Sequence, residues 1–272
     1  MCLFQQVDIN MISGSELIAR IGHCSQESTI KIEDTGREVG KGSAFVISTG
    51  SALATHSKQL ASGTFSTQTF TEGDPIGFAE VIALQEQSLK FREIESVSLI
   101  QIAGEDIKKA VDESGFLVKE MIRYSVFRVF ERSRNRFNTI FEDKLIKKYR
   151  KTILRIPYSK GDKIFYSKSD PDSIFFIEKG NVKLLTNNGN VLTTLRPTDC
   201  FGEGSLISNQ HRSMTAVAAE DCVLIKLPGS KVEAEIGKEH PLVQLALLQL
   251  VKRVHLMNQM RLIETGDSVY SG

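Results

Sequence analysis

The chain has 272 residues, which is long enough for two modest domains. Of these residues, 41% are hydrophobic and 25% are charged, a composition typical of globular proteins. Lysine and arginine total 34 against 33 acidic residues, so the formal net charge is +1. A charge this close to zero excludes a general electrostatic attraction to nucleic acid or anionic lipid, and any such binding would have to be local.

The cysteines and the apolar segments indicate a reduced, cytoplasmic protein. Cys2, Cys24, Cys200 and Cys222 form no CxxC pair, so we predict neither a disulfide scaffold nor a cysteine-based metal site. The N-terminus lacks a basic segment followed by an apolar one. The longest apolar run, Leu242 to Val251, is shorter than the roughly 20 residues that cross a bilayer. We therefore expect no membrane span.

An internal repeat divides the chain into two copies. The segment LIQI at 99–102 returns as LIKL at 224–227, and VFRV at 126–129 returns as VKRV at 251–254, in both cases 125 positions later. The match holds without a gap from about residue 74 to about residue 137. Residues of the two copies can therefore be compared position by position.

Each copy is predicted to begin with strands and to end with helices. In the second copy, hairpin turns at Lys179–Asn181 and Asn187–Asn190 separate short runs of β-forming residues. Residues 230–263 then show helical spacing, with a break at His240-Pro241. This order of elements is typical of a strand meander followed by helices.

We therefore predict an α+β fold of two tandem antiparallel β-roll barrels, jelly-roll-like in character, each with flanking helices. The first domain would span residues 1–137 and the second residues 151–272, with a helical connector at 138–150.

Two motifs that suggest enzymes are weak. The segment GREVGKGS at 36–43 resembles a phosphate-binding P-loop, but it is one residue short and Lys41 is followed by Gly42 instead of serine or threonine, which favours a plain turn. The five histidines show no HxH or HExxH spacing, and no Ser-His-acid grouping is present. We predict no catalytic residue and no metal site.

A basic run, FRVFERSRNRF, precedes the predicted connector. Its arginines are Arg128, Arg132, Arg134 and Arg136, interleaved with aromatic and apolar residues on a predicted helix. Nucleic-acid binding is one interpretation, but solvated arginines beside a packed apolar stripe are the commoner outcome.

The segment FGEGSLISNQHRS, residues 201–213, carries the residues most suited to a ligand. Gly202 and Gly204 allow main-chain N–H groups to approach an anion. Arg212 offers a planar fork of donors for phosphate oxygens, and Glu203 is an acceptor suited to a sugar hydroxyl. The alternative is that Glu203 and Arg212 pair with each other on a solvated surface, which would contribute about 0–1 kcal/mol.

This segment resembles the phosphate-binding cassette of the cyclic-nucleotide-binding domain family, which includes catabolite activators and kinase regulatory subunits. The residues that carry the resemblance are Phe201-Gly202-Glu203, Leu206, Arg212-Ser213 and Thr215, after a strand meander with Gly180 at its first turn. The resemblance covers about 155–262 and, through the repeat, about 36–137 more weakly. It departs from the family at Gly204-Ser205 and at Thr198.

The resemblance implies a role for each cassette residue. Arg212 would bind the cyclic phosphate and Glu203 the ribose 2′-hydroxyl, while the main-chain N–H of Gly202, Gly204 or Ser205 would assist. Ser213 would lie beside the phosphate and could reach the purine. The implied ligand is cAMP or cGMP, with no other cofactor. A purine cap could come from the last helix, through His255, Asn258, Gln259 or Arg261.

The first copy lacks both charged groups. Phe78 corresponds to Glu203 and Gln87 corresponds to Arg212 in the gapless alignment. Glu80 could restore a site there, together with Arg92, only if the loop were rebuilt. We therefore expect a degenerate first pocket and one nucleotide per chain.

These features predict a cytoplasmic cyclic-nucleotide receptor that changes conformation on binding and regulates an unidentified effector protein. Only ETGDSVYSG follows the last helix, so we expect no DNA-reading domain and no DNA partner. The C-terminal helix could present Leu242, Leu245 and Val251 to a second chain, as a homodimer, or to the first copy. The alternative is a ligand-free scaffold built from two such barrels, and an enzyme is a distant third.

Overall fold

The structure is a computed structural model. The predicted connector, 138–150, lies outside its described residues, as do Arg132, Arg134 and Arg136 of the basic run. The described residues are 14–57, 67–130, 154–197, 199–207 and 210–264, without the side chains of His23, Gln259 and residues 261–264.

The first half combines helices with one antiparallel sheet. Its sheet has the order β1-β5-β2-β3, and β4 also pairs with β2. The helices are α1 (Gly14–Ile21), α2 (Thr35–Gly40), α3 (Phe78–Ala83), α4 (Gly104–Glu113) and α5 (Phe116–Val129). The strands are β1 (Ser25–Ser28), β2 (Ser43–His56), β3 (Thr67–Thr71), β4 (Pro75–Ile76) and β5 (Leu89–Ala103).

The second half contains two four-stranded antiparallel sheets, of order β10-β9-β12-β7 and β11-β8-β13-β6. The predicted hairpin turns and the break before Pro241 are confirmed by the element boundaries. The strands are β6 (Leu154–Tyr158), β7 (Lys163–Phe165), β8 (Ser173–Lys179), β9 (Val182–Leu185), β10 (Val191–Leu195), β11 (Cys200–Phe201), β12 (Thr215–Ala218) and β13 (Cys222–Pro228). The helices are α6 (Glu203–Ile207), α7 (Gly229–Ile236) and α8 (Pro241–Glu264).

Strand β8 shows why the second half folds as a roll against helices. Successive strand residues point to opposite faces, and both faces of β8 are buried. Phe175 and Ile177 belong to the core inside the roll, with Phe201 and Leu224. Phe176, on the other face, belongs to the core that the helices share.

The two halves repeat local hydrogen bonds as well as sequence. The side chain of Asp74 accepts from the N–H of Thr71 at 2.8 Å, and that of Asp199 accepts from the N–H of Arg196, also at 2.8 Å. Helices α4 and α7 begin 125 positions apart, as do β4 and β11. Position-by-position comparison of the halves therefore has a structural basis in these elements.

The prediction of a second barrel is not supported, because the described strands of the first half form one sheet. The segment FVISTG at 45–50 corresponds to FFIEKG at 175–180, 130 positions later, so Gly50 corresponds to Gly180. Strands β8 and β9 are separate elements on either side of Gly180, whereas β2 continues through Gly50 with a register shift between Thr49 and Ser51. Gly50 has φ +88° and Gly180 has φ +82°, so each half of the chain has a glycine in the left-handed conformation at this point. The 3-10 turn Ile32–Asp34 lies about 130 positions before β7, so the first half has a turn at the position of this strand.

Helix α8 lies between the two halves and is apolar on most of its faces, as expected for an enclosed helix. Leu242, Leu245 and Val251 are buried in a core that includes residues of both halves. They therefore meet the first half of the same chain, and they do not form a surface for the predicted homodimer.

No helix in the described ranges is long and apolar enough to cross a membrane.

The segment that resembles a P-loop is partly helical, so the prediction of a plain turn was wrong there. Residues 36–40 belong to α2, and strand β2 follows. A P-loop requires a strand before the loop and a helix after it, which is the opposite order.

Candidate functional site

The cassette lies between strand β11 and helix α6. Gly202, at the junction, has φ +86°, a left-handed conformation that favours glycine. A Cβ on Gly202 would also lie 2.7 Å from Nη1 of Arg212, so the guanidinium would have to shift. The helix that follows carries Glu203, Gly204 and Ser205. Gly202 therefore turns the chain so that these three residues line one cavity.

Glu203 is buried and paired with an arginine from the first half. Nη1 of Arg128 donates to Oε1 of Glu203 at 2.8 Å, and the two side chains are only 10% and 8% exposed. The interpretation of the basic run as solvated arginines was therefore wrong for Arg128, because α5 places it against the cassette. Removing either member of a buried pair of this kind would leave the other charge uncompensated.

Arg212 is buried beside Glu203 but directs its donors to the main chain. Its Nη1 donates to the carbonyl of Gly202 at 2.6 Å, and its Nη2 donates to the carbonyl of Ser173 at 2.5 Å. The guanidinium lies 4.4 Å from the ring centroid of Phe165. Its Nε is buried with no hydrogen-bond partner among the described residues. Burial lowers the pKa of Arg212, although an arginine remains charged in a protein.

These contacts exclude the alternative of a solvated pair between Glu203 and Arg212. Both side chains are buried, and each has partners other than its neighbour. A carboxylate oxygen of Asp172 lies 3.8 Å from Nη2 of Arg212. Burial alone would raise the pKa of Asp172, but hydrogen bonds from Lys226 and Ser173, with the charges of Lys226 and Arg212, lower it below its usual value.

A cavity of about 360 Å³ opens beside the cassette. This volume falls within the roughly 300–1,000 Å³ of small-molecule sites. Its walls include Gly202 through Ser205, Arg212 and Ser213 from the second half. Gln68 and Arg128 contribute from the first half. The site is therefore built by both halves of the chain.

Two of the four predicted purine-cap residues line this cavity. His255 and Asn258 lie on α8 and face the cassette across it. The side chains of Gln259 and Arg261 lie outside the described residues. Much of His255 faces open space, but the protein around it disfavours the imidazolium and lowers its pKa.

In the first half, α8 covers the segment that corresponds to the cassette. Phe78 is fully buried. The N–H of Ala79, which corresponds to Gly204, donates to Oε1 of Gln249 at 2.6 Å. Gln87, at the position of Arg212, donates to the carbonyl of Leu89 at 3.0 Å. The groups that would meet a ligand there are thus engaged by the protein itself.

Glu80 and Arg92 do not restore a site in the first half. Glu80 is 3.3 Å from Nη1 of Arg253, and both side chains are 1% exposed. Arg253 also donates to Oγ of Ser88 at 2.7 Å. Arg92 lies exposed on β5. Helix α8 therefore supplies the cation that neutralises Glu80.

Sequence reasoning missed the role of Arg128, although the repeat contained a signal for it. Arg128 and Arg253 occupy equivalent positions in VFRV and VKRV. In the structure each arginine pairs with a glutamate on the cassette helix of the opposite half. Gln68 gave no such signal.

No group of acidic, histidine or cysteine side chains in the described ranges is arranged to hold a metal ion.

Residues 155–239 match the family model described as the cyclic nucleotide-binding domain. A 66-residue segment is 42% identical to a cAMP-dependent protein kinase regulatory subunit of Eremothecium gossypii, covering 24% of this chain and 14% of that protein. A 74-residue segment is 35% identical to the Cyclic AMP receptor protein of Thermus thermophilus, covering 26% of this chain and 34% of that protein. The matching segments are thus small parts of these relatives.

Among solved structures, cAMP bound PfPKA-R (141–441) is similar at 17% identity and a TM-score of 0.39, over 90% of this chain and 81% of that one. This score is too low to establish a shared arrangement of the two halves. The family match covers the β-roll, the cassette and helix α7. Residues 155–239 therefore form a domain of the cyclic nucleotide-binding family.

Proposed function

We propose that this protein is a cyclic-nucleotide receptor, with cAMP as its principal ligand, and that it regulates a partner protein. The observation that carries the proposal is the buried Arg212 beside the cavity, on a segment within the matched family domain. The names of the two curated relatives favour cAMP over cGMP. The activity of a whole relative is not assumed, because the matches cover small parts of each.

In the proposed complex, each polar part of the nucleotide meets one group of the cassette. The guanidinium of Arg212 exchanges its two carbonyl partners for phosphate oxygens, which make stronger, charge-assisted hydrogen bonds. The main-chain N–H groups of Gly202, Gly204 and Ser205 assist, and Ser213 lies beside the phosphate. Glu203 accepts from the ribose 2′-hydroxyl.

The purine would then extend toward helix α8. His255 and Asn258 line that side of the cavity and are the groups available to cover the base. Gln259 and Arg261 remain predicted cap residues. The lowered pKa of His255 favours a neutral imidazole, which can pack against a purine without adding charge.

We propose that the first half is a diverged copy that binds no nucleotide. Phe78 and Gln87 stand where Glu203 and Arg212 stand in the second half. The N–H of Ala79 is already bonded to Gln249, and α8 covers the segment. The chain would then bind one nucleotide.

Regulation would follow from the contacts between the halves. A ribose hydroxyl on Glu203 changes the surroundings of Arg128 on α5, and a purine on His255 changes those of α8. A ligand shifts a conformational equilibrium only through such differential contacts. The effector protein is unidentified, and its affinity is expected to differ with and without cAMP.

A second candidate function is a ligand-free scaffold. The observation that favours it is that Glu203 and Arg212 already have protein partners. A thermal shift separates the two functions, because a ligand that binds only the folded state raises the melting temperature. A ligand-free scaffold would show the same melting temperature in the absence of nucleotide and in the presence of about 1 mM cAMP or cGMP.

The direct test of the site is Arg212→Ala. Because two charge-assisted hydrogen bonds to the phosphate would be lost, we expect cAMP affinity to fall by at least about 100-fold. Competition with a fluorescent cAMP analogue would measure it. Arg92→Ala, which removes an exposed arginine from β5, is the matched control and should leave affinity unchanged. Retained affinity in Arg212→Ala would contradict the proposed site.

A further inference from the structure

Gln68 is a polar residue of the first half that no part of the proposed cassette uses. It lies on β3 and lines the same cavity as Arg212 and Glu203. Its Oε1 is buried and has no hydrogen-bond partner among the described residues. Buried polar atoms in native proteins usually have a partner, so an unpaired acceptor on a residue that lines a cavity could be satisfied by a donor on a bound ligand.

The side of the cavity on which Gln68 lies can be read from its neighbour Phe70 on β3. Gln68 and Phe70 are two residues apart and therefore point to the same face of the strand. Nζ of Lys252 lies 5.4 Å from the ring centroid of Phe70 and forms an ion pair with Asp74. Lys252, together with His255 on the next turn of α8, lines the cavity. Gln68 thus lies on the side of the cavity where α8 would meet the base.

We propose that Gln68 completes the base-binding end of the site, with Oε1 accepting a hydrogen bond from the amino group of a purine. This inference rests on the proposed function. An adenine presents its amino group at the 6 position, where guanine presents a carbonyl, and amide side chains suit the adenine edge. The degenerate first half would then contribute to selection of cAMP although it binds no nucleotide of its own.

The test compares two nucleotides that differ only in this amino group. One is cAMP, and the other is purine riboside 3′,5′-cyclic monophosphate, which lacks the 6-amino group. The full chain should bind cAMP about 5- to 10-fold more tightly, the effect of one hydrogen bond to a buried acceptor. In Gln68→Ala and in Gln68→Met, which keeps the side-chain length, the two affinities should become equal within about twofold.

Gln26→Ala is the matched control, because it removes an exposed glutamine from β1 of the same sheet. It should keep the preference for cAMP. Circular dichroism and the melting temperature of each variant establish that the protein is folded.

The outcomes separate this inference from the proposed function. If the unmodified chain binds neither nucleotide, the proposed function fails and the inference fails with it. If it binds cAMP and both Gln68 variants keep the full preference, only the inference is overturned. An equal loss of affinity for both nucleotides would also overturn it, because that result indicates a structural role for Gln68.

Discussion

Glu203 illustrates how a single residue connects the two halves. Its carboxylate is almost completely buried, and Nη1 of Arg128 on α5 lies 2.8 Å from Oε1. Removing one member of a buried pair leaves the other charge without compensation, which costs more than the pair itself contributes. The same carboxylate is the proposed acceptor for the ribose hydroxyl. Stability and the proposed ligand binding would therefore depend on the same contact.

We predict that Arg128→Met lowers the free energy of unfolding by about 3–5 kcal/mol, because Glu203 would lose its partner while remaining buried. Glu203→Gln should restore much of this loss when combined with Arg128→Met, giving a coupling energy of about 0.5–3 kcal/mol. Urea unfolding of the single and double variants measures both quantities.

The control for this cycle is the pair Arg155 and Glu178. Its atoms are 2.6 Å apart, but the side chains are 53% and 24% exposed. Arg155→Met should therefore cost less than about 1 kcal/mol. Equal losses for Arg128→Met and Arg155→Met would show that the Glu203 contact is not buried in solution.

The residues of the cassette could be predicted from the sequence because they lie within 13 consecutive positions, 201–213. Their partners could not be predicted in this way. Arg128 precedes Glu203 by 75 positions and Gln68 precedes it by 135. Only packing of the halves brings these residues together. The repeat relates Arg128 to Arg253, but it does not indicate that each arginine reaches the opposite half.

At the scale of elements, α8 links the two cores. Leu256 is fully buried, and every other buried residue of its cluster belongs to the first half. Other residues of the same helix belong to the core shared by both halves. The helical spacing and the start near Pro241 were visible in the sequence. The enclosure of the helix by the first half was not, because an apolar helix can equally meet a second chain.

We predict that Leu256→Ala lowers the free energy of unfolding by about 2–5 kcal/mol, because it opens a cavity in the first-half core. Amides of β2 and β5 should exchange with solvent faster, although the substitution lies far away along the chain. Hydrogen exchange measured by mass spectrometry tests this.

Leu248→Ala, at a half-buried position of the same helix, provides the comparison. It should have a smaller effect on stability, with protection of β2 and β5 preserved. Unchanged exchange in Leu256→Ala would contradict the packing of α8 into the first half.

The strands themselves were predicted better than their assembly. The hairpin turns of the second half follow from glycine and asparagine, which allow the required conformations. In the first half, Gly50 permits the same turn, yet β2 and β5 remain paired along their whole length through shifts of register. Such shifts leave no clear trace in the alternation of apolar residues. The single sheet of the first half was therefore not predictable from the pattern.

At the scale of the whole molecule, the candidate site is enclosed by both halves. The second half contributes the cassette, and the first contributes Gln68 and Arg128. A nucleotide in this cavity would contact both halves and should stabilise them as one unit. The equivalent segment of the first half is covered by α8, which predicts a single site in each chain.

Isothermal titration calorimetry of the full chain with cAMP would measure the number of sites and their dependence on Arg212. We predict one cAMP per chain, with binding lost in Arg212→Ala and kept in Arg92→Ala. A stoichiometry of two would contradict the covered first half. Absence of binding, or binding that persists in Arg212→Ala, would contradict the assignment of the nucleotide site to Glu203 and Arg212.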